Sequence, residues 1–127
     1  MARILLVDDD QDLIEMNRMV LSRRGHTVTV AYSAAEAWAA AQDNPPEAAV
    51  LDVVMEDKTA GLELARRLHA RFPALPMIML TGIRKEIQIP YPLGPDDAWL
   101  PAAQILEKPL NPRVLADEVE RLLAARA

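Results

Sequence analysis

Short apolar runs alternate along the chain with longer stretches in which apolar residues recur at helical spacing. Runs of the first kind predict buried strands, and stretches of the second kind predict amphipathic helices that cover a sheet. The predicted strands are residues 3–7, 26–32, 48–52, 77–81 and 104–107. The predicted helices are residues 11–24, 33–42 and 60–72, and a last one that starts at 111–112. This alternation predicts an α/β fold of βα units around a parallel sheet.

Local signals place several helix ends. Gly25 is positioned to end the first helix, and Ser33 followed by Glu36 forms a capping box at the start of the second. Asn111 and Pro112 suit the N-cap and first positions of the last helix. The apolar stripe that the first helix is expected to bury comprises Leu13, Ile14, Met16, Val20 and Leu21.

Residues 83–103 break the alternation, since they contain four of the ten prolines. Pro90, Pro92, Pro95 and Pro101 prevent a long regular helix between the fourth and fifth strands. A regular series of βα units would place a helix between these two strands. We therefore expect an irregular Pro-rich region in place of much of that helix, the fourth of the series.

Composition narrows the class of protein. At 127 residues we expect one domain, residues 1–127, with no second domain after it. The absence of cysteine excludes disulfides, iron–sulfur clusters and a thiol nucleophile. A formal charge of -5 argues against direct nucleic-acid binding. The apolar runs are too short for a membrane span or signal peptide, so we expect a cytoplasmic protein.

Polar side chains follow several predicted strands. Asp8, Asp9 and Asp10 follow the first strand, and Asp52 ends the third. The fourth strand ends in Thr81, and Lys108 follows the fifth. In open α/β sheets the carboxyl ends of parallel strands share one edge, where ligands bind.

Carboxylates gathered at one edge repel one another unless a cation lies between them. Oxygen ligands without histidine or cysteine favour a hard cation, and Mg²⁺ often combines one or two carboxylates with water and a phosphate oxygen. A lysine and a hydroxyl beside such a site complete the groups that could stabilise an aspartyl-phosphate. Asp10, by contrast, suits the N-cap of the first helix.

The ordered motifs resemble the receiver domain of two-component response regulators across the whole chain. They are "ILLVDDD", "AAVLDVVM", "GLEL", "PMIMLTG" and "EKPL". The resemblance implies a flavodoxin-like (βα)5 doubly wound parallel sheet with strand order 2-1-3-4-5. It also implies a phosphoprotein of phosphorelay signal transduction, not an enzyme with an independent substrate.

Carried over by position, the resemblance makes Asp52 the phosphoacceptor. It implies Mg²⁺ as cofactor, bound by Asp8, Asp9, Asp52 and the backbone carbonyl of Val54. Thr81 would be the switch hydroxyl and contribute to catalysis with Asp52 and Lys108.

Lys108 would contact the phosphoryl group, and Pro109 after it would be a cis-proline. The implied partners are a sensor histidine kinase or phosphotransfer protein and a downstream protein, while a homodimer stays open.

The sequence departs from the family pattern in three places. One residue is inserted after the acceptor strand, where Glu56 replaces the usual proline and the following glycine falls at Gly61. The positions two residues after Asp52 and Thr81 are apolar, Val54 and Ile83, which predicts slow autodephosphorylation because neither side chain can orient water.

The third departure concerns the switch aromatic and the output face. The position three residues before Lys108 is Ile105, and an alternative alignment makes Trp99 the aromatic. Tyr91 and Trp99 lie in the Pro-rich segment, so residues 83–103 are a candidate face for the downstream partner. The alternative interpretation is an irregular loop in which Trp99 packs on the sheet edge.

Two other functions fit parts of the pattern. A small Mg²⁺ phosphatase of the haloacid dehalogenase kind would use Asp8 as nucleophile, but Asp12 stands where that family prefers Thr or Val. A pseudo-receiver would bind partners without phosphorylation, which the acidic residues and Lys108 argue against.

Overall fold

The computed structural model describes residues 2–52, 60–82, 104–108 and 111–126. In these ranges the strands are β1 (Arg3–Val7), β2 (Thr27–Ala31), β3 (Ala48–Asp52), β4 (Met77–Gly82) and β5 (Gln104–Lys108). The helices are α1 (Gln11–Arg23), α2 (Ala34–Asp43), α3 (Ala60–Arg71) and α4 (Pro112–Arg126). Each predicted element is found, with ends that differ from prediction by at most one residue.

The five strands form one parallel sheet in the order β2-β1-β3-β4-β5. This confirms the α/β flavodoxin-like sheet and the order 2-1-3-4-5 that the resemblance implied. The order changes direction between β1 and β3, and in folds of this kind ligands bind outside the carboxyl ends of the strands at such a point.

Both faces of the sheet are covered by apolar residues, because β3 is buried along its whole length and alternates between two hydrophobic clusters. Ala49 and Leu51 belong to the cluster beneath α2 and α3, which also contains Leu64 and Leu68. The cluster beneath α1 and α4 is built from Ile4, Leu6, Ile14, Leu21, Ala48, Val50, Ile78, Leu80, Leu115, Ala116 and Val119. The alternation follows from the two-residue period of a strand.

The predicted capping residues are present where the sequence placed them. Ser33 Oγ accepts a hydrogen bond from the Glu36 N–H at 3.2 Å, and Glu36 Oε1 accepts one from the Tyr32 N–H at 3.0 Å, which completes the capping box. Asn111 Oδ1 accepts a hydrogen bond from the Arg113 N–H at the start of α4. Gly25 follows α1 with a φ of 92°, a conformation that favours glycine.

The face that α1 buries differs from the predicted stripe. Ile14, Asn17 and Leu21 are buried, whereas Met16 is 51% exposed. The buried residues follow each other at intervals of three and four, so helical geometry brings the polar Asn17 to the inner face and turns Met16 outward. The expectation that Met16 is buried was wrong.

The end of α1 is joined to α4 by side-chain contacts. Arg24 Nη1 donates to Asp117 Oδ1 at 2.7 Å and to Glu120 Oε1 at 3.1 Å. His26 lies beside this pair, with its Nε2 at 2.9 Å from Glu120 Oε2. These contacts fix the turn between α1 and β2 against the last helix.

Several sequence predictions fall on residues that lie outside the described ranges. They concern the Pro-rich segment 83–103 with Tyr91 and Trp99, the carbonyl of Val54, and the cis form of Pro109. Among the helices in the described part of the chain, none combines the length and the apolar composition that crossing a membrane requires.

Candidate functional site

The carboxyl ends of the strands meet at one edge of the sheet. Val7 pairs with Leu51, so Asp8 and Asp52 each stand one position beyond that pair on neighbouring strands. Asp52 in turn pairs with Leu80, and Thr81 follows Leu80 on the next strand. The parallel register thus brings residues that are far apart in sequence to a common edge.

Asp8 is a buried carboxylate, with 4% of its surface exposed. Its main-chain N–H donates to the Ala31 carbonyl at 3.2 Å, which extends the pairing of β1 and β2 by one residue. Its Oδ1 accepts a hydrogen bond from the Asp10 N–H at 3.0 Å. Both the backbone and the side chain of Asp8 are therefore held by main-chain contacts.

Asp52 is the last residue of β3 and is 6% exposed. The four residues that precede it are buried in the two hydrophobic clusters on either side of the sheet. Because that strand is packed on both faces, the position of the Asp52 main chain is fixed by the core of the protein.

Asp8, Asp9 and Asp52 form a carboxylate cluster. One oxygen from each of the three side chains lies within 4.8 Å of the other two. Asp8 and Asp52 are buried, whereas Asp9 is exposed. Three carboxylate oxygens at this spacing, without nitrogen or sulfur ligands among them, are a donor set that suits a hard divalent cation.

Receiver-type chemistry would also need Thr81 and Lys108. The main chain of Thr81 lies in β4 and pairs with Glu107, and the main chain of Lys108 lies at the end of β5 and pairs with Gly82. Thr81 is the second-last residue of β4 and Lys108 is the last residue of β5, so both lie near the same edge of the sheet as Asp52. Ile105, the residue at the predicted switch position, lies further back in β5, where it pairs with Met79.

The third aspartate in the run has a different contact. Asp10 is the N-cap of α1, and its Oδ1 accepts a hydrogen bond from the Leu13 N–H at 3.1 Å. This confirms the predicted capping role. The sequence did not reveal that the Asp10 N–H also holds Asp8, because a main-chain donor has no residue-type signature; the spacing Asp8-x-Asp10 before a helix is the only signal for such a turn.

Charged side chains also form pairs along the surfaces of α1 and α4. The guanidinium of Arg18 hydrogen-bonds to Glu15 one turn earlier in α1, which lowers the pKa of the Glu15 carboxyl and raises the pKa of Arg18. Glu118 hydrogen-bonds to Arg121 in α4 and raises the pKa of that guanidinium. These pairs lie on exposed surfaces, where ion pairs contribute little to stability.

Comparison with known proteins identifies the fold and family. The family model for the response regulator receiver domain matches residues 4–120. The response regulator receiver protein CpdR of Brucella abortus is 34% identical over 125 residues, with 98% of this chain and 99% of that protein covered. The transcriptional regulatory protein GltR of Pseudomonas aeruginosa is 37% identical over 124 residues.

The chain spans only 48% of the length of GltR. Among solved structures, a CheY-like response regulator receiver domain protein from Methanospirillum hungatei superposes with a TM-score of 0.84 at 28% identity, with 99% of this chain and 96% of that chain covered. A putative response regulator from Chloroflexus aurantiacus gives a TM-score of 0.80 at 31% identity, with 97% and 98% covered.

Receiver domains are in general signalling modules of two-component systems, and they typically bind Mg²⁺ at a cluster of aspartates. They interact with histidine kinases or phosphotransfer proteins. The sheet order, the aspartate cluster at the carboxyl edge and the match over residues 4–120 agree, and the chain belongs to the response regulator receiver family.

Proposed function

We propose that Asp52 accepts a phosphoryl group from a sensor histidine kinase or a phosphotransfer protein, and that the phosphorylated form is recognised by a downstream protein. The observation behind this proposal is the cluster of Asp8, Asp9 and Asp52 at the carboxyl edge of the sheet. The cluster supports the proposal because it brings the proposed acceptor and three of the proposed cation ligands within 4.8 Å of one another.

The transfer balances as a displacement at phosphorus. A carboxylate oxygen of Asp52 forms the new O–P bond while the P–N bond to the donor histidine breaks, and the departing imidazole nitrogen keeps the electron pair and takes up a proton. Mg²⁺ bound by Asp8, Asp9, Asp52 and the Val54 carbonyl would neutralise the charge on the phosphoryl oxygens. Burial of Asp52 at the end of a fixed strand orients the attacking oxygen.

Two further residues have assigned roles in this proposal. Lys108 at the end of β5 would contact the phosphoryl group as a compact positive charge. Thr81 in β4 would donate its hydroxyl to the phosphoryl group and report its presence by that contact. The adjacency of the ends of β3, β4 and β5 supports both roles.

The downstream contact is assigned to residues 83–103 on the basis of the sequence alone. This segment contains Tyr91 and Trp99, aromatic residues of the kind that anchor protein interfaces. Ile105 or Trp99 would take the place of the switch aromatic, and a homodimer is one form that the downstream contact could take.

Intact-mass spectrometry with Mg²⁺ and acetyl phosphate tests the phosphorylation. We expect the wild type to gain one phosphoryl group, Asp52→Asn to gain none, and the matched control Asp43→Asn at the end of α2 to behave like the wild type. Chelation of Mg²⁺ should abolish the gain.

Other results of the same experiment would favour the phosphatase or the pseudo-receiver alternative. A gain that persists in Asp52→Asn and disappears in Asp8→Asn would favour the phosphatase-like chemistry. No gain from acetyl phosphate or from phosphorylated histidine kinases at any Mg²⁺ concentration would favour a pseudo-receiver.

A further inference from the structure

Asp10 connects the first helix to the carboxylate cluster through two hydrogen bonds of opposite direction. Its main-chain N–H donates to Asp8 Oδ1 at 3.0 Å, and its own Oδ1 accepts from the Leu13 N–H at 3.1 Å. The Asp10 carbonyl also accepts the first α-helical hydrogen bond of α1, from the Ile14 N–H at 3.1 Å. Residue 10 is thus held by α1 while it holds Asp8.

We infer that Asp10 is a positioning residue for the cation site: the N-cap contact to Leu13 fixes the main chain of residue 10, and this keeps its N–H directed at the carboxylate of Asp8. The inference rests on the proposed cation-dependent function, which it deepens. Asp10 itself is not proposed as a ligand, because its carboxylate oxygen is the acceptor of the helix cap.

The geometry of the turn explains why the cap would matter. Asp10 has φ -88° and ψ 103°, an extended conformation that an N-cap residue adopts and that a residue without a capping side chain leaves more readily. When that conformation is lost, the N–H no longer points at Asp8. The carboxylate would then have to be ordered during cation binding, and the ordering cost would appear as weaker affinity.

Because Asp8 is buried, the orientation of its carboxylate determines whether its oxygens can reach the proposed cation. Asp8 is 4% exposed, and its main-chain N–H is bonded to Ala31. A side chain anchored at its backbone can vary only by rotation about its own bonds. The hydrogen bond from residue 10 restricts that rotation, in the manner of the outer contacts that orient metal ligands in other proteins.

Weaker Mg²⁺ binding in an Asp10 variant could also result from loss of the negative charge of Asp10. A matched set of variants separates this effect from loss of the helix cap. Asp10→Ala removes the cap acceptor and the negative charge, whereas Asp10→Ser removes the charge and keeps a capping oxygen. Asp12→Asn removes an equal charge from an exposed position in the first turn of α1. Asp52→Asn removes a proposed ligand.

Isothermal titration of the full chain with Mg²⁺ measures the effect directly. We expect Asp10→Ala to bind Mg²⁺ up to about fivefold more weakly, because the stability that a typical helix cap contributes sets the upper limit of the ordering cost. Asp10→Ser keeps a capping oxygen and Asp12→Asn leaves the Asp10 cap intact, so both should stay within about twofold of the wild type.

Amide hydrogen exchange gives a second readout that does not depend on the cation. In metal-free protein, Asp8→Ala should accelerate exchange of the residue 10 amide while the amide of Leu13 stays protected. Asp10→Ala should accelerate both, and Asp10→Ser should restore both.

Four results would overturn the inference. Equal weakening in Asp10→Ala and Asp10→Ser would assign the effect to charge, and wild-type affinity in Asp10→Ala would show that the cap has no part in it. A residue 10 amide that exchanges equally fast in wild type and Asp8→Ala would contradict the hydrogen bond. Absence of Mg²⁺ binding by the wild type would remove the cation site and this inference together, an outcome distinct from the others.

Discussion

His26 Nε2 lies 2.9 Å from Glu120 Oε2, although the two residues are 94 positions apart. The other ring nitrogen, Nδ1, accepts a hydrogen bond from the Ala2 N–H at 3.2 Å. A neutral imidazole with its proton on Nε2 satisfies both contacts at once. One side chain therefore joins the start of the chain, the turn before β2 and the last helix.

Breaking this connection should destabilise the fold. We expect His26→Ala to lower the free energy of unfolding by about 2 kcal/mol, because two hydrogen bonds of a largely buried ring are lost. Urea denaturation of His26→Ala, Glu120→Ala and the double variant should give a coupling of about 1 kcal/mol. A coupling near zero would show that the two side chains act independently; His69→Ala, on α3, is the control.

The side-chain amide of Asn17 is buried, and its oxygen lacks a hydrogen-bond donor in the part of the chain that the structure describes. The residue is 5% exposed. Asn17→Leu should raise the free energy of unfolding by roughly 1–2 kcal/mol, because an apolar side chain of similar size suits this face of α1. Asn17→Asp should instead be destabilising. An Asn17→Leu protein with a lower denaturation midpoint would contradict this interpretation.

Cation binding should be visible as thermal stabilisation. A ligand that binds only the folded state raises the melting temperature, so Mg²⁺ should raise that of the wild type in a concentration-dependent manner. Asp52→Asn and Asp8→Asn should respond less, because each removes an oxygen of the carboxylate cluster. Asp43→Asn at the end of α2 should respond like the wild type. An equal response in all four proteins would place the bound cation elsewhere.

The pair formed by Glu15 and Arg18 predicts a local pH dependence. The hydrogen bond from Arg18 lowers the pKa of Glu15, so its contribution to stability is present above the ordinary carboxyl pKa and is lost as pH falls through the lowered value. Arg18→Gln should return the pKa of Glu15 toward its ordinary value in an NMR titration. Arg23→Gln, which removes the same charge from the end of α1, should leave the Glu15 titration in place.

Strand positions were predictable because short apolar runs have few alternatives in a protein of this size. The first residues of α2 and α4 were predictable because Ser33 and Asn111 are N-capping residues. Strand order, in contrast, came from resemblance to a family, since alternating elements do not by themselves specify which strands are neighbours.

Contacts between distant residues were beyond sequence reasoning. Nothing in the local pattern links His26 to Glu120. The apolar stripe predicted for α1 did not include Asn17, because the stripe was drawn from apolar residues alone, while helical geometry between Ile14 and Leu21 places Asn17 inside.

The alternation of β3 between the two hydrophobic clusters has a consequence for how this protein can vary in length. An insertion or deletion within β3 would exchange the residues that face each cluster and turn Asp52 toward the opposite face of the sheet. A change in length after Asp52 alters none of this pairing. Relative to the family pattern, the extra residue falls between Asp52 and Gly61, after the end of β3, where natural selection could accept it without moving Asp52.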